Sequence, residues 1–425
     1  MHGTSGPAAS VDGAQEATDR IVEWYRRELG RLTRGQVATL EWLRTHPELV
    51  VLPLTVLRTV VDVLVLHQNT DGPRFRAAGV AIWGPEGLTV FADPWLQVGP
   101  VYLAALGAAA RALELVMSAS AADDALWVLQ AALVVLVAQV VAGRLARRHG
   151  SSSLLARWAV GLALGAGGVV PIASAWGHPE EPMVALLLIA AAVLAAVARP
   201  VRAGLVLGLA AGVKQWALLG VVTGLGQLRR RRAAVAISVA TAGLVTAAVY
   251  GPFLLSGHVG TFTLVWDAPP EVAQGWLWAR AGVTDWTSRL VQGAITAAVG
   301  AIAALRRPAH PELVVLTIVG VKLLLEPLPQ PYYLSAVSVA FLVWLWTARG
   351  PAPLRGMVLA TAVPLVLVAI TGITPWFATW LAVDVAVGAA LWWTLRTTRT
   401  GALGAPIHAA DGSKDADPLN RTVSA

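Results

Sequence analysis

Residues 204–232 read GLVLGLAAGVKQWALLGVVTGLGQLRRRR, an apolar stretch that is interrupted at Lys214 and closed by four consecutive arginines. A lysine at membrane depth costs roughly 2.5–3.5 kcal/mol on insertion scales, so it is kept only where it has a partner or a function. If the chain turns at Lys214-Gln215-Trp216, each arm has ~12 residues and ~18 Å of helix, well short of the ~30 Å bilayer core. We predict this short hairpin, and one long helix is the alternative.

The whole chain has the composition of a membrane protein. Of its 425 residues, 56% are apolar and 13% are charged, and the mean hydropathy is +0.64. Soluble proteins carry about 25% charged residues, so a soluble fold is excluded. Cysteine is absent, which excludes disulfides, thiolate metal sites and a cysteine nucleophile. The composition therefore predicts an all-α, polytopic integral membrane protein.

Arginine-rich clusters alternate with apolar runs along the chain. The runs are 50–66, 96–118, 124–143, 154–175, 181–198, 203–228, 233–255, 287–305, 311–327, 332–348, 353–371 and 374–395. Because basic loops stay in the cytoplasm, an even number of crossings should separate neighbouring clusters. Two of the intervals between clusters contain an odd number of runs and break this rule. The hairpin at Lys214 makes the number of crossings even in one of them. In the other, the number becomes even if run 96–118, which carries Arg111 and Glu114, is an amphipathic helix on the outer surface and does not cross.

With an even number of crossings between all neighbouring basic clusters, the chain should have about 12 transmembrane helices in the plasma membrane and both termini in the cytoplasm. The membrane domain would span residues 46–398, with long external loops at 67–123 and 256–286. Residues 1–45 would form a cytoplasmic segment without a secretory signal, either an amphipathic helix on the inner membrane surface or a solvated helical tail. Residues 399–425 are polar and turn-rich, and we predict a disordered cytoplasmic tail.

The net charge of +7 does not indicate a nucleic-acid partner, because the basic residues lie in short clusters between apolar runs. Neither a P-loop nor a Rossmann glycine motif is present, which disfavours a cytoplasmic nucleotide-sugar donor. The polar residues gather instead in the predicted external loops. Any chemistry is therefore expected on the outer face.

Four segments together resemble the GT-C glycosyltransferases, and in particular actinobacterial mannosyltransferase-like membrane proteins. They are TDGPRFRAAGVAIWGPEGLTVFADPWLQVGPVYL at 70–103, ASAWGHPEEPM at 173–183, the hairpin at 204–232, and KLLLEPLPQPYYLSAVS at 322–338. The resemblance lies in the order and topology of these segments more than in identity, and it covers roughly residues 50–340. It implies a GT-C-like fold.

The resemblance also implies transfer of a sugar from a polyprenyl-phosphate carrier to an envelope glycan, glycolipid or protein on the outer face. Mannose or arabinose is the expected sugar. Two alternatives stay open. One is a lipid or solute transporter or flippase without transferase activity, and the other is a non-catalytic membrane scaffold.

Such a transferase needs a carboxylate that accepts the acceptor's proton and cations that stabilise the departing phosphate. Asp71 is the predicted base, although Thr-Asp-Gly-Pro is also an ordinary turn sequence. Asp93 is its rival or a helix cap. Lys214 is the predicted phosphate ligand, with a structural pair to a buried carboxylate as the alternative. Arg280 is a second phosphate candidate, or a residue of the interfacial aromatic belt.

A divalent metal, Mg²⁺ or Mn²⁺, is a further hypothesis. Glu180 and Glu181 would hold it with His178 and Asp71, and a solvated turn is the alternative. The remaining candidates for the site are Gln215, Trp216, Glu326, Tyr332 and Tyr333. Two pairs with i, i+4 spacing are predicted to be structural, Lys322 with Glu326 and Arg58 with Asp62.

Overall fold

The computed structural model describes residues 33–66, 71–227, 231–258, 260, 286–326, 330–348, 354–373 and 377–397. Within these ranges the chain is helical and has no strand. Arg280, most of loop 256–286, most of the N-terminal segment and the whole 399–425 tail lie outside the described residues, so the predictions made for them stay predictions.

The helices follow the predicted apolar runs closely. In chain order they are α1 (Arg34–Thr45), α2 (Glu48–Leu66), α3 (Gly72–Ala81), a 3-10 helix (Gly87–Ala92), α4 (Pro100–Glu114), α5 (Ala119–Arg148), α6 (Ser153–Leu164), α7 (Val169–Ala175), α8 (Glu180–Ala196), α9 (Pro200–Val213), a second 3-10 helix (Gln215–Gln227), α10 (Arg232–Ser256), α11 (Trp286–Arg306), α12 (Pro311–Leu324), α13 (Tyr333–Thr347), α14 (Leu354–Ile373) and α15 (Phe377–Thr397).

Five segments of the described chain are long and apolar enough to cross a membrane. They are Ala119–Arg148, Ser153–Ala175, Arg232–Ser256, Thr287–Arg306 and Leu354–Thr371. A helical membrane protein is therefore supported. The predicted total of about 12 crossings is a finer statement that these five do not establish.

Helix α13 is the centre of the bundle, and all its residues from Tyr333 to Thr347 are buried. Its sequence, YLSAVSVAFLVWLWT, is apolar on every face, which is typical of a helix surrounded by others. Helices α5, α6, α8, α12 and α14 pack around it. Helix α13 is ~22 Å long, and this length separates the two ends of the bundle.

The chain breaks at Lys214, where the hairpin was predicted. Lys214 has extended backbone angles (φ −154°, ψ 133°) between α9 and the second 3-10 helix. A Cβ added to Gly220 would lie 3.0 Å from a methyl group of Leu207, so the 3-10 helix folds back beside α9. The turn at Lys214 is present, whereas the side of the membrane on which it lies stays a prediction.

Run 154–175 is interrupted, which its apolar sequence did not predict. The segment Gly165–Gly168 separates α6 from α7, and Gly168 has a left-handed backbone (φ +87°). A Cβ at Gly165 would collide with the hydroxyl of Thr55 in α2. The glycines therefore permit both the turn and the close approach of α2.

Run 96–118 forms α4, which has one buried face. One buried face is what we expect of an amphipathic helix. Helix α4 packs across α3 so closely that a Cβ at Gly107 would collide with the carbonyl of Gly79. Arg76 of α3 also pairs with Glu114 at the end of α4. The two helices form one folded unit, and its location at a membrane surface stays a prediction.

One end of the bundle is built from basic helix ends. Arg157 in α6 pairs with Glu48 at the start of α2. The hydroxyl of Ser151 donates to the carbonyl of Thr347 at 3.1 Å, so the α5–α6 loop lies beside the end of α13. This is the end that the charge rule predicts to be cytoplasmic.

Candidate functional site

The start of α13, at the opposite end of the bundle, is surrounded by the ends of several other helices. The start of α3 carries Asp71, the α7–α8 turn carries His178, and the break after α9 carries Lys214. The four-residue sequence Trp-Gly-His-Pro gives a tight turn, in which Gly177 has a left-handed backbone (φ +81°). These local turns bring polar side chains together that are far apart in sequence.

His178 lies between two carboxylates. Its Nε2 is 2.9 Å from Oδ2 of Asp71, and its Nδ1 is 2.7 Å from Oε1 of Glu180. An ionised carboxylate only accepts hydrogen bonds, so the ring satisfies both contacts when both of its nitrogens carry a proton. The geometry thus favours the imidazolium form.

The electrostatics agree with this protonation state. Burial alone would lower the pKa of His178, but the carboxylates of Glu180 and Asp71 outweigh it and raise this pKa above its ordinary value. The hydrogen bond from His178 in turn lowers the pKa of Asp71. Asp71 remains 39% exposed, whereas the side chains of His178 and Glu180 are 5% and 0% exposed. Asp71 is therefore an ionised carboxylate at the rim of a buried network.

Lys214 is held by the acidic pair at the start of α8. Its Nζ is 2.8 Å from Oε1 of Glu180 and 2.5 Å from Oε1 of Glu181. The other oxygen of Glu181 accepts a hydrogen bond from the indole of Trp216 at 3.1 Å. The hairpin turn is thus fixed to α8, and the structural pair that we left open for Lys214 is present.

Two tyrosines at the start of α13 form the wall of this network. The ring of Tyr332 stacks on His178 with centroids 3.6 Å apart, and Phe75 meets the same imidazole edge-on. The ring centroids of Tyr333 and Tyr332 are 4.7 Å apart, and the two rings meet edge to face. These aromatic contacts hold the imidazole in the plane that reaches both carboxylates.

A second charged group lies on the other side of Tyr333. The ammonium of Lys322 is 4.3 Å from the centre of the Tyr333 ring and 3.0 Å from Oε2 of Glu326. The guanidinium of Arg289 in α11 donates to Oε1 of Glu326 at 2.5 Å. The side-chain amide of Gln292 donates to Oε2 of the same glutamate at 3.1 Å. The predicted Lys322–Glu326 pair is therefore part of a larger cluster.

The two groups differ in how their cations are held. In the acidic group, Lys214 lies between the carboxylates of Glu180 and Glu181, and Asp71 interacts electrostatically with His178, Arg74 and Lys214. Lys322 and Arg289 instead both contact the carboxylate of Glu326. Two cations therefore meet at one carboxylate beyond Tyr333.

Most of the predicted site residues that the structure describes meet at this end of the bundle, whereas Asp93 and Gln215 have other surroundings. Asp93 lies instead against Arg74 at 3.5 Å, and its Oδ1 accepts the backbone amide of Trp95 at 2.9 Å, as a local cap does. Gln215 follows Lys214, and its buried Nε2 has no hydrogen-bond partner among the described residues.

The acidic group does not present a good site for the predicted Mg²⁺ or Mn²⁺. The ammonium of Lys214 lies between Glu180 and Glu181, where we expected the ion, and both nitrogens of His178 face carboxylates. Oε2 of Glu180 has no hydrogen-bond partner in the described part of the chain. One oxygen is far from the roughly six that Mg²⁺ requires. The donor set suits an ammonium better than a metal.

Sequence reasoning missed Arg289 and Gln292. Both lie near the start of α11, just after the loop 256–286 that we predicted to be external, and their partner Glu326 is more than 30 residues away. The available signal was the polar pattern Arg289-x-x-Gln292, which presents both side chains on one face of an otherwise apolar helix.

An apolar crevice begins one residue beyond Tyr333. It is bordered by α12, α13, α14 and α15, and its walls include Leu316, Leu334, Phe341 and Leu367. Because the crevice starts beside the charged groups and follows α13 away from them, a molecule with a polar head and an apolar tail fits this arrangement.

Comparisons with known proteins add no assignment. The chain matches no protein-family model, and neither a curated protein nor a solved structure is significantly similar to it.

Proposed function

We propose that this chain is a membrane glycosyltransferase. It would move a sugar, mannose or arabinose, from a polyprenyl-phosphate carrier to an acceptor of the cell envelope at the outer face. The observation that carries the proposal is the pairing of a half-exposed, ionised carboxylate at Asp71 with a cationic group beyond Tyr333. Glycosyl transfer to an alcohol needs these two features, a proton acceptor and a phosphate stabiliser.

Asp71 is the proton acceptor in this proposal. The acceptor's hydroxyl oxygen forms a bond to the anomeric carbon, and the bond from that carbon to the phosphate oxygen breaks. The hydroxyl proton goes to Asp71, and the electron pair leaves with the polyprenyl phosphate. The lowered pKa of Asp71 makes it a weak base, which suffices because the hydroxyl proton becomes acidic as its oxygen bonds to carbon.

Lys322 and Arg289 replace Lys214 as the proposed phosphate contacts. Lys214 is already held by the carboxylates of Glu180 and Glu181, which would repel a phosphate that approached it. Lys322 and Arg289 both contact the carboxylate of Glu326, so a phosphate at this place would meet two cations. The side chain of Arg289 is 20% exposed, so a headgroup can reach it.

The apolar crevice along α13 would hold the isoprenoid chain. Leu334, which lines the crevice, follows Tyr333 in the chain, and the ring of Tyr333 contacts Lys322, so a carrier with its tail in the crevice would have its phosphate on the side of Lys322. Because the tail of such a carrier is already in lipid, its packing in the crevice would position the carrier rather than remove apolar surface from water.

The proposal is tested with purified protein in nanodiscs and polyprenyl-phosphoryl mannose or arabinose carrying a radioactive sugar. Lys322→Met should weaken donor binding at least tenfold, because one of the two phosphate contacts is lost. Arg355→Met, which alters an exposed arginine of α14, is the matched control and should bind normally. Equal donor binding by both variants would contradict the phosphate assignment.

The same preparation distinguishes a transferase from a transporter or flippase. A transferase releases polyprenyl phosphate and forms a new glycosidic bond, both of which mass spectrometry detects. A flippase moves the intact donor between leaflets and leaves its mass unchanged. Donor movement without any released polyprenyl phosphate would favour the transporter.

A further inference from the structure

A second cluster of ligand-type side chains lies at the basic end of the bundle, away from the Asp71 network. His149 ends α5, His310 precedes α12, and Glu312 lies in the first turn of α12. One ligand atom from each of the three residues lies within 4.8 Å of the other two. We propose that these three residues form a binding site for a divalent transition metal of the zinc class.

The distances in this cluster suit metal coordination. Nδ1 of His310 is 3.1 Å and Nε2 of His149 is 3.4 Å from Oε1 of Glu312. Bonds of ~2.0–2.1 Å in a tetrahedral zinc site place neighbouring ligand atoms ~3.3 Å apart. The longer contact exceeds the usual N–H···O range of ~2.7–3.2 Å.

Two buried polar atoms of the cluster lack hydrogen-bond partners among the described residues. They are Nε2 of His149 and Oε2 of Glu312, whose side chain is fully buried. A buried carboxylate oxygen without a partner is costly, because it has lost its water without compensation. A bound cation between the imidazoles would satisfy the nitrogen and offset the buried negative charge.

The two imidazoles of the cluster lie side by side. The rings of His149 and His310 are stacked, with centroids 5.3 Å apart and an angle of 13° between their planes. This stacking places one nitrogen of each ring close to the same carboxylate oxygen of Glu312.

The three protein ligands leave one tetrahedral position for water. Two imidazoles and one carboxylate are a ligand set that zinc accepts. Because the site joins the end of α5 to the start of α12, metal binding would fasten these helices and stabilise the basic end of the bundle.

The first test measures metal content of the full chain in detergent after equilibration with Zn²⁺ and desalting. We expect one zinc ion per chain in the native protein and a background level in Glu312→Gln and His310→Gln. His258→Gln, which alters an exposed histidine after α10, is the matched control and should keep its zinc. Zinc that persists in Glu312→Gln, or that is lost in His258→Gln alone, would overturn the proposal.

A gain of signal avoids the ambiguity of a variant that folds poorly. The native chain has no cysteine, so His149→Cys introduces a unique thiolate ligand. With Co²⁺ as the probe, this variant should show a sulfur-to-cobalt charge-transfer band that the native chain lacks. His46→Cys, on α1's C-terminal cap, should not show it. Absence of the band in a folded His149→Cys protein would overturn the proposal.

Discussion

Nζ of Lys214 lies 2.8 Å from Oε1 of Glu180, and both side chains are withdrawn from solvent. Lys214 ends α9, and Glu180 begins α8, so this ion pair ties the turn of the hairpin to the neighbouring helix. The cation is a partner of the buried acidic pair, and its removal should act first on the stability of the fold.

Lys214→Met should destabilise the protein by about 3–5 kcal/mol, because it leaves buried carboxylates without their cation. Thermal unfolding in detergent measures the loss as a fall in midpoint. The double variant Lys214→Met, Glu181→Gln should recover part of it, because one uncompensated charge is removed as well. The unfolding midpoint of Lys214→Arg should lie between those of the native chain and Lys214→Met, because arginine keeps the positive charge but replaces a compact ammonium with a planar guanidinium. If Lys214→Met folds normally and only loses donor binding, Lys214 binds phosphate after all.

The pH dependence of stability should report the pair of His178 and Asp71. The raised pKa of His178 gives stability that is complete below ~pH 6.5 and is lost as pH rises through the folded-state pKa. The lowered pKa of Asp71 gives stability that is complete above ~pH 4 and is lost as pH falls through its folded-state pKa. The unfolding midpoint should therefore fall at alkaline pH.

His178→Gln is the control for this pH effect, because it cannot be protonated. The difference in midpoint between the native chain and this variant should shrink as pH rises from 6 to 9. A constant difference over that range would show that His178 is not charged in the folded protein.

The α9–α10 contact depends on small residues. A Cβ at Gly208 would lie 2.6 Å from Cβ of Val245, whereas Gly243 on α10 has open space beside it. Gly208→Leu should therefore cost about 1–3 kcal/mol through overpacking, and Gly243→Leu should be nearly neutral. Unfolding midpoints of the two variants measured side by side test this packing, and equal midpoints would contradict it.

The break at Lys214 and the helical class could be predicted from the sequence, because a lysine inside an apolar run has few structural solutions. The break at Gly165–Gly168 was missed, since the need for a glycine at position 165 comes from the close approach of Thr55 in another helix, which the apolar pattern does not reveal. The same limit applies to the site. The sequence predicted Asp71 and His178 around one metal ion, but it did not indicate that the two side chains bond to each other directly across 107 positions.

The sequence could not assign each cation to its carboxylate. Lys214 and Lys322 both lie inside apolar runs and have similar surroundings in the sequence. Only the folded chain places Lys214 between two glutamates and leaves Lys322 to share Glu326 with Arg289. The choice between a phosphate ligand and a structural pair depends on this count of neighbouring charges.

The proposed orientation in the membrane is tested by cysteine labelling, which the absence of native cysteine makes simple. Positions 86 and 150 are both exposed and lie in loops that we place on opposite sides. In intact cells, a membrane-impermeant thiol reagent should label a cysteine at 86 and spare one at 150. The reverse labelling pattern would invert the topology and place the Asp71 network in the cytoplasm.

Sugar transfer by the Asp71→Asn variant shows whether Asp71 is the proton acceptor. The amide keeps the shape of the side chain and loses its basicity, so turnover should fall by about 10²–10⁴ while donor binding stays within a few fold of the native value. Asp93→Asn is the matched control and should retain its rate. The measurement is release of polyprenyl phosphate from a labelled donor in nanodiscs. Native rates in Asp71→Asn, with loss of activity in Asp93→Asn, would contradict the account.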